Sequence, residues 1–547
     1  MAEQLSSKKK DTRKAAADVL ASLKPTAQKA QIEKALKSEK TAEVVASLEK
    51  ALQAAGGEVK GFEVAADASV ADLEKLLESQ PSKKMPKFLN VETLPPLLFK
   101  SGATLEGNAL LGLLSRLALE GPDHIDDVAR AIRPHLDDKS ANAFSISLKD
   151  KWASAGGKAA DKWCVYQQAI LANEERMSDF APGLDEAVSA GMHHLVGWYV
   201  DVLERHGSDD AKSWVGYWAM NAERRSLRDA AWAAIERLAA AASLSQTAFL
   251  ATVNTYVADD IADRKVPTLG FENGNLRVDL GGREGEFQVD AGLGLRVRDE
   301  TQKILKSVPK SAPESVKTHF KDLKKRLKSI ANEAEQRFEF AMVSGRPWSL
   351  AAFKRDIVSH PILRLFVAGL VFRTDKKELF RVVDAELVDA QWNPIDLPKN
   401  AVIRVAHRMD LSAADIKAWG VQLGEAEITQ PFEQLNRPVF AKTAKSEFGA
   451  VQPGTLAGRL RRMGWRNDSA EDAGMIYGAS KLFAGRGVRA RCSHGGIYAG
   501  DPSWGSEAIT IDGFYFEDLR GESINDKDVD PIAYSEAIYD LTRIAQA

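Results

Sequence analysis

The sequence has only two cysteines, Cys164 and Cys492, in 547 residues. That scarcity excludes a disulfide scaffold and a multi-cysteine zinc site. A single bridge is left open, and it would need an oxidising compartment. A charge excess is also missing. Against 77 acidic residues stand 74 basic ones, a formal net charge of −3, which argues against a chain wholly committed to nucleic acid but allows a local basic patch. No apolar run follows the basic start MAEQLSSKKKDTRK, so a secretory h-region is lacking. The most apolar later stretch, Ala230 to Val253, carries Glu236 and Arg237. It reads as buried helix rather than as a span of ~20 apolar residues. The expectation is a cytoplasmic protein that does not enter the membrane.

Catalytic and cofactor signatures are equally scarce. Glycines cluster around residues 270–294 and at Gly485-Arg486-Gly487, but none is followed by the Lys-Ser/Thr of a P-loop. They read as turn glycines, and no cofactor is expected. His193 and His194 are adjacent, so on a helix they point to different sides. Cys492 and His494 alternate along a strand, which places both on one face, but two ligands are too few for a metal site. No metal is expected.

What the chain does have is apolar content: 44% hydrophobic and 28% charged residues suit a folded soluble protein. Its length calls for more than one domain. Up to about Ser79, apolar residues recur at helical steps, as in Val44, Val45, Leu48 and Leu52; the Lys8–Lys10 run reads as a solvated tail. Pro81, Pro86, Pro95 and Pro96 mark residues 80–96 as a linker or an irregular crossing. From 97 to 262 helix follows helix. Val196-Gly197-Trp198-Tyr199 with Glu204-Arg205 is echoed by Val215-Gly216-Tyr217-Trp218 with Glu223-Arg224. The echo suggests stacked helical hairpins of the HEAT type, with a packed bundle as the alternative. Six of the eleven tryptophans fall in this half; they read either as core or as a partner groove.

The pattern changes near Asp263. Asn273-Gly274 between Leu269/Phe271 and Leu276/Val278 signals a hairpin, and Gly281-Gly282 a second turn. Three or four short antiparallel strands are expected. A basic helix over 313–339 follows, containing Lys321, Lys324, Lys325, Arg326 and Lys328. Two buried helices come next, split near His360-Pro361. Strands are expected at 380–388, 402–406, 488–492 and 509–516, and helices at 413–423 and 534–544. The predicted fold class is multidomain α+β: a helical-repeat (HEAT-like) or helical-bundle N-terminal half and a mixed α/β C-terminal half with antiparallel hairpins. The four parts are 1–79, 80–96, 97–262 and 263–547.

Several segments of the last part occur together in a recognisable order. They are LGFENGNLRVDLGGREGEFQV followed by LKSVPK, WSLAAFKRDIVSHPILRLFVAGLVF, and VIRVAHRMDL followed by AWGVQL. After these come Gln430-Pro431-Phe432-Glu433-Gln434-Leu435-Asn436-Arg437, then Gly464-Trp465-Arg466, then Ser535-Glu536-Ala537-Ile538 with Asp540. In this order residues 263–547 resemble the MolR-like bacterial family, domain of unknown function 4132. The resemblance implies protein partners, a MoxR-type AAA+ ATPase and von Willebrand A-domain proteins. Some relatives carry a Trp-Gly-Arg signature associated with nucleic acid; no Trp-Gly-Arg occurs here.

The candidate functional cluster is His407, Gln430, Gln434, Arg437, Trp465 and Glu536. Gln434 and Arg437 are three apart and share a face if their segment is helical. A planar guanidinium beside amides suits carboxylate or phosphate recognition, whereas the structural reading has these side chains cap backbone groups between layers. Ser535 reads as a helix N-cap. Three functions compete. The first is a non-catalytic adaptor acting with partners such as the AAA+ ATPase. The second is an enzyme with a pocket built on His407, Gln434, Arg437 and Glu536. The third is nucleic-acid association through the Lys321–Lys328 helix.

Overall fold

The computed structural model describes residues 2–23, 26–39, 41–57, 64–80, 83–122, 126–189, 191–222, 224–442, 448–505 and 507–546. The chain divides into two compact units, Met1–Thr255 and Tyr256–Ala547, a division just ahead of the composition change near Asp263. It is mixed α/β, and the sheets are antiparallel.

Helices dominate the first unit. Lys10–Leu23, Lys29–Ser38 and Ala42–Ala54 turn their apolar stripes inward, and Leu20, Ile32, Leu48 and Leu52 share one small core. Helix Val70–Glu78 meets helix Gly107–Leu117 at close range. A Cβ on Gly112 would lie 2.0 Å from the Leu77 carbonyl oxygen, so only glycine lets these backbones touch. The chain leading to the second helix crosses irregularly, and its Lys83 N–H donates to Ser115 Oγ at 2.9 Å. Pro81 lies outside the described residues, as does Glu223 of the echo. The rest of the echo falls on consecutive helices, Leu195–His206 and Asp209–Asn221. Gly207 turns between them at φ 68° and Ser208 caps the second. Both pack against Arg225–Ala241. Trp152, Trp163, Trp214 and Trp218 are buried and Trp198 and Trp232 half-buried, so these rings are packing groups rather than an open aromatic groove. Among the described residues, no helix is long and apolar enough to cross a membrane.

The second unit opens with a short helix, Val257–Arg264, followed by a four-stranded meander: Asn275–Asp279, Glu284–Val289, Leu295–Asp299 and Ile304–Leu305. Asn273 and Gly274 both take the left-handed conformation that an Asn-Gly turn favours. The arm before them is a single bridge, Glu272 to Asn275, and not the strand expected there. Leu269 and Gly270 also sit at positive φ and break the extended backbone. Residues 380–388 likewise form two strands instead of one. Leu379–Val383 and Glu386–Val388 fold back about Asp384 and Ala385, at φ 47° and 69°. No glycine marks that turn, so its sequence reads straight through. These strands belong to a five-stranded sheet that also holds Phe372–Thr374, Val402–Val405 and Trp348–Ser349. A third sheet runs as a sequential meander, Arg466–Asn467, Met475–Phe483, Val488–Tyr498, Ile511–Asp518 and Ser523–Ile524.

A long helix, Glu314–Ser344, lies among the sheets. Leu323, Leu327, Ile330, Ala334, Phe338 and Ala341 are buried at helical spacing, whereas Lys321, Lys324, Lys325, Arg326 and Lys328 face solvent. The helix stops at Gly345, which is left-handed at φ 76°. Its last carbonyls receive Arg486: Nε donates to Val343 O at 2.7 Å and Nη2 to Met342 O at 2.8 Å. The Gly485-Arg486-Gly487 turn is thus a helix cap. A Cβ on Gly485 would sit 2.4 Å from the Gly345 carbonyl oxygen. Gly485→Ala should therefore cost about 1–3 kcal/mol in chemical denaturation, and an unchanged midpoint would refute this close approach.

Candidate functional site

The site is built on the last helix, Pro531–Gln546. Asp530 caps it by accepting from the Ile532 and Ala533 N–H groups. Ser535 lies inside the helix and its Oγ accepts from Phe440 N–H at 2.9 Å, so the N-cap role expected of it belongs to Asp530. The helix is buried along almost its whole length, yet carries Glu536 and Asp540. Four residues apart, these carboxylates share a face. Each needs its own cation, because a buried unpaired charge is very costly.

Glu536 is met by Arg437 and His407. Arg437 Nε and Nη2 form a two-pronged pair with its carboxylate at 2.9 and 2.6 Å, and Nη1 binds Glu339 of the long helix. The Arg437 guanidinium also lies over the Tyr539 ring, 4.3 Å from its centre. His407 Nε2 is 3.0 Å from Glu536 Oε1, while Nδ1 accepts from Met409 N–H at 3.2 Å. That acceptor role puts the ring proton on Nε2, where it donates to the carboxylate. Burial alone would raise the Glu536 carboxyl, but the hydrogen bonds from His407 and Arg437 outweigh it and hold it down at about 2. Burial would likewise lower Arg437, and Glu536 and Glu339 raise it instead. Glu536→Gln should therefore remove stability that the native chain has above about pH 4.5, the ordinary glutamate value, and loses as pH falls towards 2. The difference between the two chains should close across that window in acid unfolding. A constant difference would contradict the pairing.

Asp540 has different partners. Trp465 Nε1 donates to Oδ2 at 2.9 Å and Lys481 Nζ at 2.6 Å. Burial pushes the Asp540 carboxyl up in spite of Lys481. Gln430 and Gln434 work on the backbone. Gln434 Nε2 donates to Val371 O at 2.7 Å and Ala406 O at 2.8 Å, and its Oε1 accepts from Val371 N–H at 3.0 Å. Gln430 Nε2 donates to Gly369 O and to Gln434 Oε1. Segment 430–437 forms bends and turns, not the helix that would have put Gln434 and Arg437 on one face. Pro431 and the backbone-bound amides fix it in irregular form.

The structure therefore joins His407, Arg437 and Glu536 in one hydrogen-bonded group, whereas Trp465 belongs to the Asp540 and Lys481 group and Gln430 and Gln434 hold the backbone of Gly369, Val371 and Ala406. His407, Gln434 and Glu536 have no exposed surface. Arg437 and Lys481 do reach a cavity of about 600 Å³. Its wall includes Glu339, Phe340, Arg459, Arg461, Arg462 and Arg543. The sequence reading missed Lys481 and these arginines. Two signals were available: Lys481 sits on the inward row of its strand between Ala479 and Phe483, and the Arg459–Arg462 cluster immediately precedes Gly464-Trp465.

Other candidates lie elsewhere. His193 binds Arg224, and His194 packs edge-on against Trp198. Both cysteines are free and buried, and burial pushes the Cys492 thiol up to about 12. Among the described residues, no three His, Cys, Asp or Glu side chains are placed to hold a metal ion.

Residues 303–465 match the domain of unknown function DUF4132. The matched stretch holds His407, Gln430, Gln434, Arg437 and Trp465, and ends before Lys481, Glu536 and Asp540. The chain is similar to the uncharacterized protein YehI of Escherichia coli strain K12, with 26% identity over 435 residues, covering 73% of this chain. The alignment covers 35% of that relative's length. No solved structure matches.

Proposed function

We propose that the chain is a non-catalytic interaction protein, an adaptor that works with protein partners. The observation that carries this reading is a set of aromatic side chains in solvent on the third sheet. Tyr477, Tyr498 and Tyr515 stand on its three central strands, 46%, 37% and 45% exposed, and Trp504 lies edge-on to Tyr498 at 63% exposure. The opposite face is packed, with Ala479, Ala490, Cys492 and Phe516 in the core. Large rings left in water favour a role as interface anchors.

The buried cluster supports the same reading. In an acid–base pair, one histidine nitrogen is oriented by a carboxylate and the other faces substrate. His407 presents its other nitrogen to a backbone N–H. This argues against an enzyme built on His407, Gln434, Arg437 and Glu536. The solvated basic helix, with Asp322 among its lysines, gives nucleic acid little support. The finer part of the proposal is a cytoplasmic component, as the lack of a secretory h-region suggests, with stacked HEAT-like hairpins in its first unit, as the internal echo suggests. The resemblance to the MolR-like family adds a bacterial setting and action with a MoxR-type AAA+ ATPase and von Willebrand A-domain proteins. The test is affinity purification of the full chain from its native host, beside a Tyr498→Ala/Trp504→Ala variant. A AAA+ ATPase should accompany the native chain and be depleted with the variant. Recovery of the chain alone, or equal recovery with both, contradicts the proposal.

A further inference from the structure

We infer that the arginine-lined cavity of the second unit binds a small phosphate-bearing molecule, independently of the adaptor reading. Its volume of about 600 Å³ falls among small-molecule sites. Its charge is unbalanced. Arg437, Arg459, Arg461, Arg462, Lys481 and Arg543 line it, against two carboxylates, Glu339 and Asp540. Glu536 beneath Arg437 supplies one more. Glu433 stands behind the Tyr539 hydroxyl to which Arg543 donates, so six cations face four carboxylates.

The arrangement has a floor and a rim. On the floor, Arg437 is nearly buried and fixed by Glu536, yet three of its N–H groups are used there and in the bond to Glu339, out of the five a guanidinium carries. Lys481 is held by Asp540 through one bond. At the wall, Arg459 donates to the Ile544 carbonyl and Arg543 to the Tyr539 hydroxyl, so both are oriented by neutral groups. At the rim, Arg461 and Arg462 are exposed and have no ion pair among the described residues. Like charges gathered this way repel one another and destabilise the fold, unless an anion is held between them. Planar forks match phosphate oxygens better than ammonium groups do, and arginine outnumbers lysine here. Phe340, exposed at the wall, and the Tyr539 ring offer an organic portion a surface to lie on.

Calorimetric titration of the full chain with pyrophosphate and with ATP, and with citrate as a polycarboxylate of similar charge, tests the inference. The rim variant Arg461→Gln/Arg462→Gln leaves the buried pairs intact, and Lys324→Gln/Arg326→Gln on the exposed face of the long helix serves as a charge-matched control. The expected result is binding of pyrophosphate or ATP that weakens about tenfold or more in the rim variant, which loses two charge-assisted contacts to the phosphate oxygens. Binding should survive in the control and be weaker for citrate. Absence of binding by both phosphates, equal affinity in the rim variant, equal loss in the control, or citrate binding as tightly would each overturn it.

Discussion

Arg437→Ala should lower the stability of the second unit by about 3–5 kcal/mol, the usual consequence of leaving one member of a buried ion pair behind. Glu536, with no exposed surface, would keep only His407 as partner. Glu339 would lose its charge-assisted bond and Tyr539 the guanidinium over its ring. At about 2–4 °C per kcal/mol for a domain of this order, the thermal transition should fall by roughly 10 °C. Arg437→Lys should recover little, because an ammonium group cannot reproduce the two-pronged geometry. A transition within 2 °C of the native chain would show that the pair is not structurally important.

Gln434→Glu should be comparably damaging despite its nearly identical shape. The native amide donates to Val371 O and Ala406 O. A carboxylate would turn an oxygen towards both carbonyls, leaving two buried acceptors without donors at about 1–3 kcal/mol each. Burial would also raise the new carboxyl, and its protonated form regains one donor. The variant should therefore gain stability relative to the native chain as pH falls from 7 towards 5, the reverse of the Glu536 effect. Urea unfolding at both pH values reads this directly. Near-native stability at pH 7, or no recovery in acid, would contradict the backbone-clamping role.

Much of the local structure was legible in the sequence, because local rules govern it. The long helix follows the spacing of Leu323, Leu327, Ile330 and Phe338, and the four-residue step from Glu536 to Asp540 is written in the last helix. The turn at Asp384-Ala385 was not legible, since neither residue is the glycine or asparagine that left-handed backbone favours. The candidate residues stand out through the ordered family segments, not through spacing. His407 and Glu536 are 129 residues apart and Arg437 and Glu536 are 99 apart. No periodicity reports such a contact. Nor did the sequence show that the cluster would be sealed. That follows from the burial of nearly every side of the last helix, which turns Glu536 and Asp540 inward.

Arg437, His407 and Glu536 form a buried polar clamp within the second unit. Its most direct test is a double-mutant cycle on Arg437 and Glu536, read by urea unfolding of the native chain, Arg437→Ala, Glu536→Ala and the double variant. The clamp predicts two strongly destabilised single variants and a double variant little worse than either, a coupling of about 2–3 kcal/mol. Residues kept for chemistry often cost stability, so their removal would leave the fold unchanged or firmer. Additive losses, or single variants as stable as the native chain, would contradict the clamp.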